Sequence, residues 1–420
     1  MLISLVIPTR ERASYLKYSI ETCLQVEDDA VEIIVSDNSS RDDTRQVVAS
    51  FDDPRLRYIC THGRVSMRQN FDFAMSETRG DYVIFIGDDD GIMPHQFPAL
   101  RAILEARHPA ALSWTPLKYE WPIDGYGSHP GTIRFDRFKI FGQPVEVCCD
   151  ELRKKVLAAQ LDLINRMPGI YHGCVSRSLM QFIKDRTGNY FNGRIPDFYV
   201  AYTILFNRDS FLHAGHPFTI GGSSPASNGN AHHAYKSTDK RAAPAAQFMQ
   251  EVLTDPVQDV IPGHVPSDPM AYFPTLETVL RDFPQANAVI DRGAWYYRIL
   301  SNTRRDDLPV WTATLSVLQD YAKKTGTSEE FQTALARPVA IKAKSSLVDA
   351  VSYNWKKLWG FRLTVDDQDS NTVATAAKVA DQILGCGYRI DGDSNRKLWG
   401  GAWARGMKRQ VLPRVSGRAA

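Results

Sequence analysis

Apolar positions in the first hundred residues alternate between short continuous runs and sets spaced three or four apart. Residues 2–7 form a continuous run that reads as a buried strand, and the polar loop Pro8-Thr9-Arg10-Glu11-Arg12 follows it. Leu16, Ile20, Cys23 and Leu24 then fall at helical spacing. Residues 31–35 read as a second strand ending in Ser36-Asp37-Asn38-Ser39-Ser40, with Val47, Val48 and Phe51 on the next helix. Residues 56–60 make a third strand, and Met67, Phe71, Ala74 and Met75 mark another helix. The stretch 80–91 carries a fourth strand whose apolar half suits burial on both faces, and it runs into Asp88, Asp89 and Asp90. This alternation predicts an α/β fold, a mostly parallel sheet sandwiched by helices.

Phe97, Leu100, Ile103 and Leu104 give one more helix, and residues 110–114 one more strand. Residues 116–149 are rich in aromatics, Gly and Pro, with strand-like pieces such as 132–135, and read as a β excursion lining an acceptor site or as surface packing. From about residue 236 the pattern turns helical, with segments at 276–283, 295–299 and 317–322. The expected organisation is a catalytic domain over 1–235, with halves at about 1–115 and 116–235, and a mainly helical domain over 236–420.

Composition narrows the classes. At 420 residues, 43% hydrophobic and 23% charged, the chain reads as a soluble protein of two domains. A formal net charge of +2 gives no general attraction to nucleic acid, and no nucleic-acid partner is expected. The six cysteines show no CxxC, so neither a zinc site nor a disulfide framework is indicated. The N-terminus lacks the basic flank of a signal peptide and no apolar run reaches bilayer length. A cytoplasmic protein is expected, peripheral at most at the inner face of the membrane.

Three adjacent acids at the C-terminal end of a sheet strand change the picture most. Ligands bind at that edge of open α/β sheets, and three carboxylates repel unless a cation or donors compensate. Asp88, Asp89 and Asp90 are therefore candidate ligands for a hard divalent cation, Mn²⁺ or Mg²⁺. A turn with a helix cap is the other reading, though capping needs only one Asp. The loop after the first strand has neither GxGxxG nor a glycine-rich turn ending in Lys-Ser/Thr, so the dinucleotide-binding and P-loop fingerprints are absent.

Val6-Ile7-Pro8-Thr9 with Arg12, residues 32–44 around Asp37, and the strand ending in the acids occur in the order seen in the inverting family 2 glycosyltransferases of GT-A fold, which this sequence resembles. The resemblance implies a nucleoside-diphosphate sugar donor, with a lean to uracil, held by Pro8, Thr9, Arg12, Asp37, Arg68 and Asp88. It places Arg68 near the diphosphate, Asp88 at the ribose or the metal, and Asp89 first as metal ligand, with Asp90 able to share either role. Asp37 also reads as an Asx turn and Arg68 as a solvated helix residue. Gly87 stands where many members carry an Asp, which leaves the register within the cluster open.

Asp197, in Arg194-Ile195-Pro196-Asp197, matches the family's Glu-Asp motif with Pro196 replacing the first acid, so the resemblance makes it the catalytic base; a helix cap is the alternative. Downstream, Gly221-Gly222-Ser223-Ser224 could close over phosphates, and one of His213, His216, His232 or His233 could complete a metal shell. The basic, Trp-containing tail from Arg396 to Arg418 suits peripheral contact with an anionic membrane, or is a solvated tail or a helix packed on its own protein. The reading is a metal-dependent inverting glycosyltransferase that moves a sugar to the hydroxyl of a carbohydrate or lipid-linked glycan acceptor in polysaccharide or glycoconjugate synthesis. The alternatives are a sugar-phosphate nucleotidyltransferase and a non-enzymatic nucleotide-binding scaffold.

Overall fold

Strand and helix alternate along the first half as the patterning requires: β1 (Ile3–Thr9), α1 (Ala13–Leu24), β2 (Val31–Asp37), α2 (Thr44–Ala49), β3 (Leu56–Cys60), α3 (Met67–Glu77) and β4 (Tyr82–Phe85). The computed structural model describes residues 1–122, 131–160, 167–224, 250–251, 253–261, 268–285, 288–338, 360–365, 371–390 and 395–411. The four strands lie parallel in the order β3-β2-β1-β4. Beyond β4 the sheet continues through β10 (Gly173–Ser176), β6 (Ala111–Trp114), β11 (Ser210–Ala214) and β9 (Pro144–Cys148), with β10 and β9 antiparallel to their neighbours.

β4 shows why a continuous apolar run is needed here. Ile84 and Ile86 face a core shared with Leu5, Ile7, Ile33 and Val35, whereas Val83 and Phe85 face a second core with Val6, Phe71 and Met75. Each such side chain contributes about 1.5–3 kcal/mol on burial, so neither face tolerates a polar residue. The helices α4 (Phe97–Arg107), α5 (Cys149–Leu157), α6 (Arg177–Thr187) and α7 (Pro196–Asn207) cover the sheet.

A second sheet runs in the order β13 (Gly360–Thr364), β8 (Thr132–Asp136), β7 (Leu117–Glu120), β12 (Thr219–Ser223) and β5 (Gly91–Ile92). The β excursion is thus a real sheet, and it reaches the acids through β5, which directly follows them, and through β12.

The expected boundary near residue 235 lies outside the described residues. Past it, the described residues do not separate into a core of their own. The helices Asp268–Asp282, Arg292–Asn302 and Leu308–Thr325 bury Phe273, Trp295 and Leu318 in the second core together with Tyr199 and Phe85. The helix Val373–Leu384 buries Val373, Ala376 and Ala380 in the first core with Leu5 and Ile84. In β13, Phe361 and Leu363 alternate inward with Arg362 and Thr364 outward, which is a half-buried strand's pattern. The tail is helical over Asn395–Val411 despite Gly400, Gly401 and Gly406; at Gly406 the backbone lies against Phe361, and a Cβ there would sit 2.5 Å from its ring. Lys397, Trp403 and Lys408 on this helix are exposed, whereas Arg414 and Arg418 fall outside the described residues. No helix among the described residues is long and apolar enough to cross a membrane.

Candidate active site

The C-terminal ends of β1, β2 and β4 deliver Thr9, Asp37 and the acidic turn to one edge of the sheet. Thr9 donates its hydroxyl to Asp88 Oδ2 (2.8 Å), and Arg12, just before α1, places Nη1 3.0 Å from Asp88 Oδ1. Three of the expected donor-binding residues therefore meet at one carboxylate. Pro8 pairs with Ser36 in the β1–β2 ladder and fixes the backbone that presents Thr9.

Asp37, at the end of β2, is buried. It accepts from the Tyr58 hydroxyl (2.6 Å) and from the Ser40 backbone N–H (3.0 Å). The turn expected from its Ser and Asn neighbours is present, and it leaves the carboxyl anchored beside the β3–α3 loop. That loop borders an open hollow of about 420 Å³ lined by Thr61, His62, Arg64, Gln69 and Phe73. Tyr58, which neighbours Asp37 across the sheet, was not singled out by the sequence.

The three acids have separate environments. Asp90 is filled by protein donors: the Gly87 N–H (2.6 Å), the Tyr171 hydroxyl (2.5 Å), the Gly222 N–H (2.7 Å) and His172 Nε2 (3.1 Å). Burial works against this carboxylate, but His172, Tyr171 and the Gly87 N–H outweigh it and hold Asp90 below the usual range. Asp90 is thus a structural tie, with its lone pairs already committed. Asp89 is the opposite case. Burial first, and then the adjacent Asp90 and Asp88, push its carboxyl up to about 7. Ser224 donates to Asp89 Oδ2 (2.6 Å), and the Trp121 indole donates to its backbone carbonyl (2.9 Å).

Gly87 now has a physical reason. A Cβ there would lie 2.7 Å from the Tyr171 hydroxyl and 2.9 Å from Asp90 Oδ2, so the space a side chain would need is taken by the Asp90 tie. Gly222 is stricter still, because its Cβ would fall 1.8 Å from the Asp89 carbonyl oxygen. The glycine-rich segment belongs to β12, and its Gly222 N–H is spent on Asp90. Gly222→Ala is expected to push β12 off the acidic turn and destabilise the protein by about 2–3 kcal/mol, in the overpacking range. Thermal unfolding checks this, and an unchanged melting temperature would refute the contact.

Asp197 lies in the first turn of α7, one residue inside Pro196, and the cap position belongs to Ile195. Burial pushes its carboxyl up to about 6, opposed by the backbone N–H groups of Phe198 and Asp197 and by His172. His172, at a positive φ of 47°, links the two acid sites: it contacts Asp90, lies within electrostatic reach of Asp197, and pairs through Nδ1 with Thr219 (2.9 Å). A non-glycine residue in that conformation next to a site is a strain signature that sequence does not display.

Two expected placements turn out differently. Arg68 is buried and puts Nε 2.9–3.0 Å from both Asp255 oxygens and Nη1 on the Phe191 carbonyl (3.1 Å). It is neither solvated nor without a counter-charge, since Asp255 supplies one. His216 is a core residue, stacked 4.0 Å from Tyr388 and accepting the Phe141 N–H at Nδ1, and burial depresses it to about 3. His213 pairs with Ser113 (2.9 Å), and His232 and His233 lie outside the described residues. The histidine at the acids is His172.

The donor set fits a hard cation at one point only. Asp89 is an oxygen donor whose raised pKa marks a need for a proton or a cation, whereas Asp90 is saturated and Asp88 is shared by Thr9 and Arg12. Among the described residues no group of three or more His, Cys, Asp or Glu is arranged to hold a metal ion.

Residues 4–156 match the profile of Glycosyl transferase family 2. A GalNAc(5)-diNAcBac-PP-undecaprenol beta-1,3-glucosyltransferase of Campylobacter jejuni is 31% identical over 94 residues, 22% of this chain and 30% of that protein, so the match spans about a third of the relative's length. Among solved structures, S. aureus TarS 1-349 with UDP-GlcNAc aligns over 80% of this chain and 90% of its own, at 13% identity and a TM-score of 0.47. A mannosyltransferase of Pyrobaculum calidifontis with GDP-Man and Mn²⁺ aligns over 81% and 87%, at 13% identity and a TM-score of 0.35.

Proposed function

We propose, from the premise that residues 4–156 form a family 2 glycosyltransferase domain of GT-A fold, that this protein is a metal-dependent inverting glycosyltransferase using a UDP-linked sugar. The acceptor is the hydroxyl of a carbohydrate or of a lipid-linked glycan, in polysaccharide or glycoconjugate synthesis. The observation that carries the reading is the division of labour among Asp88 and Asp89 at the sheet edge and Asp197 at the start of α7. Asp88 is bound up with Thr9 and Arg12, Asp89 is held at about 7 and suited to a cation, and Asp197 is held at about 6 and suited to a proton.

Asp37 and the hollow beside it receive the base, and Thr9, Arg12 and Asp88 orient the ribose side of the donor. Asp89 would hold Mn²⁺ or Mg²⁺. The cation supplies charge neutralisation for the leaving diphosphate. Asp197 takes the proton from the acceptor hydroxyl, whose oxygen bonds to the anomeric carbon as the carbon–phosphate-oxygen bond breaks on the opposite face. A base whose pKa lies near 6 is deprotonated at neutral pH yet still basic enough to accept. Arg68 has no part in this scheme, because Asp255 carries its charge.

The test separates this from the nucleotidyltransferase alternative. Incubation with UDP-sugars and Mn²⁺ is expected to release UDP. Pyrophosphate release from UTP and a sugar phosphate, with no UDP from any UDP-sugar, would overturn the proposal.

A further inference from the structure

The outward face of the second sheet carries a row of like charges that packing does not explain. Arg362 on β13 pairs in register with Arg134 on β8, and Arg134 with Lys118 on β7. All three are exposed, while their chain neighbours Phe361, Leu363, Ile133, Phe135, Leu117 and Tyr119 are buried on the opposite face. Like charges directly opposite one another destabilise a sheet. Charge can guard an exposed edge, but only β13 is an edge strand here, and β7 and β8 lie inside the sheet.

Two acids share this face. Glu120 is paired with Arg362, and Asp136 caps the following turn by accepting the Phe138 N–H (3.0 Å). Among the described residues Lys118 and Arg134 form no ion pair, so their charge stays open to an anion. The row also points at the site. Lys118 pairs in turn with Gly221 on β12, and a Cβ on Gly221 would lie 3.4 Å from His172 Nε2. His172 contacts Asp90 at 3.1 Å and lies within electrostatic reach of Asp197. Neighbouring strands lie about 4.8 Å apart, so the backbones carrying the three cations sit at about 5, 10 and 14 Å from Gly221.

We propose that this face seats the acceptor, and that the acceptor is a chain carrying phosphate groups, held by Lys118, Arg134 and Arg362 with its reacting hydroxyl beside His172 and Asp197. This rests on the reading of Asp197 as the base of a glycosyl transfer. The commitment to phosphate follows from charge and spacing. Cations one strand apart match anions repeated along a chain, and guanidinium and ammonium groups both bind phosphate oxygens. A neutral glycan would leave the repulsion within the row uncompensated.

The experiment measures binding of a fluorescein-labelled inorganic polyphosphate by anisotropy, without metal or UDP. The proteins are the full-length wild type, the Lys118→Gln/Arg134→Gln double variant, Arg134→Lys, and Lys324→Gln on the helix Leu308–Thr325 as a control. The expected result is a loss of affinity of about tenfold or more in the double variant, with Arg134→Lys and Lys324→Gln close to wild type and binding weakened by salt. The double variant melts no lower than wild type, since the change removes repulsion. For the acceptor that supports transfer from a UDP-sugar, removing its phosphate raises KM by a similar factor in the wild type and changes little in the double variant. No binding by the wild type, equal binding by the double variant, or an equal loss in Lys324→Gln overturns the proposal, as does an acceptor used as well without phosphate as with it. Loss of binding to phosphatidylglycerol vesicles in the double variant, with polyphosphate binding unchanged, makes the face a membrane contact and also overturns it. A wild type that holds polyphosphate through these residues but binds no UDP with Mn²⁺ defeats the functional proposal and the acceptor role with it, leaving an anion-binding face.

Discussion

Asp197→Asn is expected to lower the transfer rate by about 10²- to 10⁴-fold, the range for loss of a positioned general base. Mn²⁺-dependent UDP binding should stay near the wild-type value, because Asp88 and Asp89 are held by other partners. The pH profile carries a second readout. The base works only when ionised, so wild-type kcat/KM should climb with pH through about 6 and level off above it. Residual activity of the variant should lack that limb. The sign for stability is the reverse. A carboxyl raised from 3.8 to about 6 favours the folded state while it is protonated, and that contribution fades as pH rises through this window. At neutral pH the amide removes a disfavoured, partly buried charge, so the variant should melt no lower than wild type. Steady-state kinetics from pH 5 to 8 decide the matter, and undiminished turnover would remove Asp197 from the mechanism.

Asp89→Asn is the second large effect. Removing the one acid suited to a cation should abolish the enhancement of UDP binding by Mn²⁺ and reduce transfer by at least about 10²-fold. Without metal the same change relieves repulsion from Asp90 and Asp88, which together with burial raises Asp89 to about 7. The metal-free variant should therefore be as stable as wild type or more so above that pH. Calorimetry with and without Mn²⁺ separates the two effects. A variant that still gains UDP affinity from Mn²⁺ would move the cation to another acid.

How much of this was legible in the chain follows the range of the interactions. The parallel order of β1 to β4 and the acids at the end of β4 were readable, because burial on both faces forces an apolar run and its end marks the site. Thr9, Arg12 and Asp88, named together from the sequence, lie in hydrogen-bond contact. The separate duties of Asp88, Asp89 and Asp90 were not readable, since three identical residues in a row differ only in what reaches them. Tyr171, His172, Gly222 and Ser224 do so from 81 or more residues away. Arg68 shows the same limit: its partner Asp255 is 187 residues distant, and nothing near Arg68 in sequence announces a buried pair. β13 did carry the alternation of a strand, but its place beside β8 depends on pairing across more than two hundred residues.

The central claim is that the acidic turn binds a nucleoside diphosphate through a cation. A calorimetric titration of the wild type with UDP, run with Mn²⁺ and again with a chelator, tests it most directly. The account predicts binding that tightens at least about tenfold with Mn²⁺ and is not matched by other nucleoside diphosphates. UDP binding that is absent, or the same with and without the metal, would contradict it.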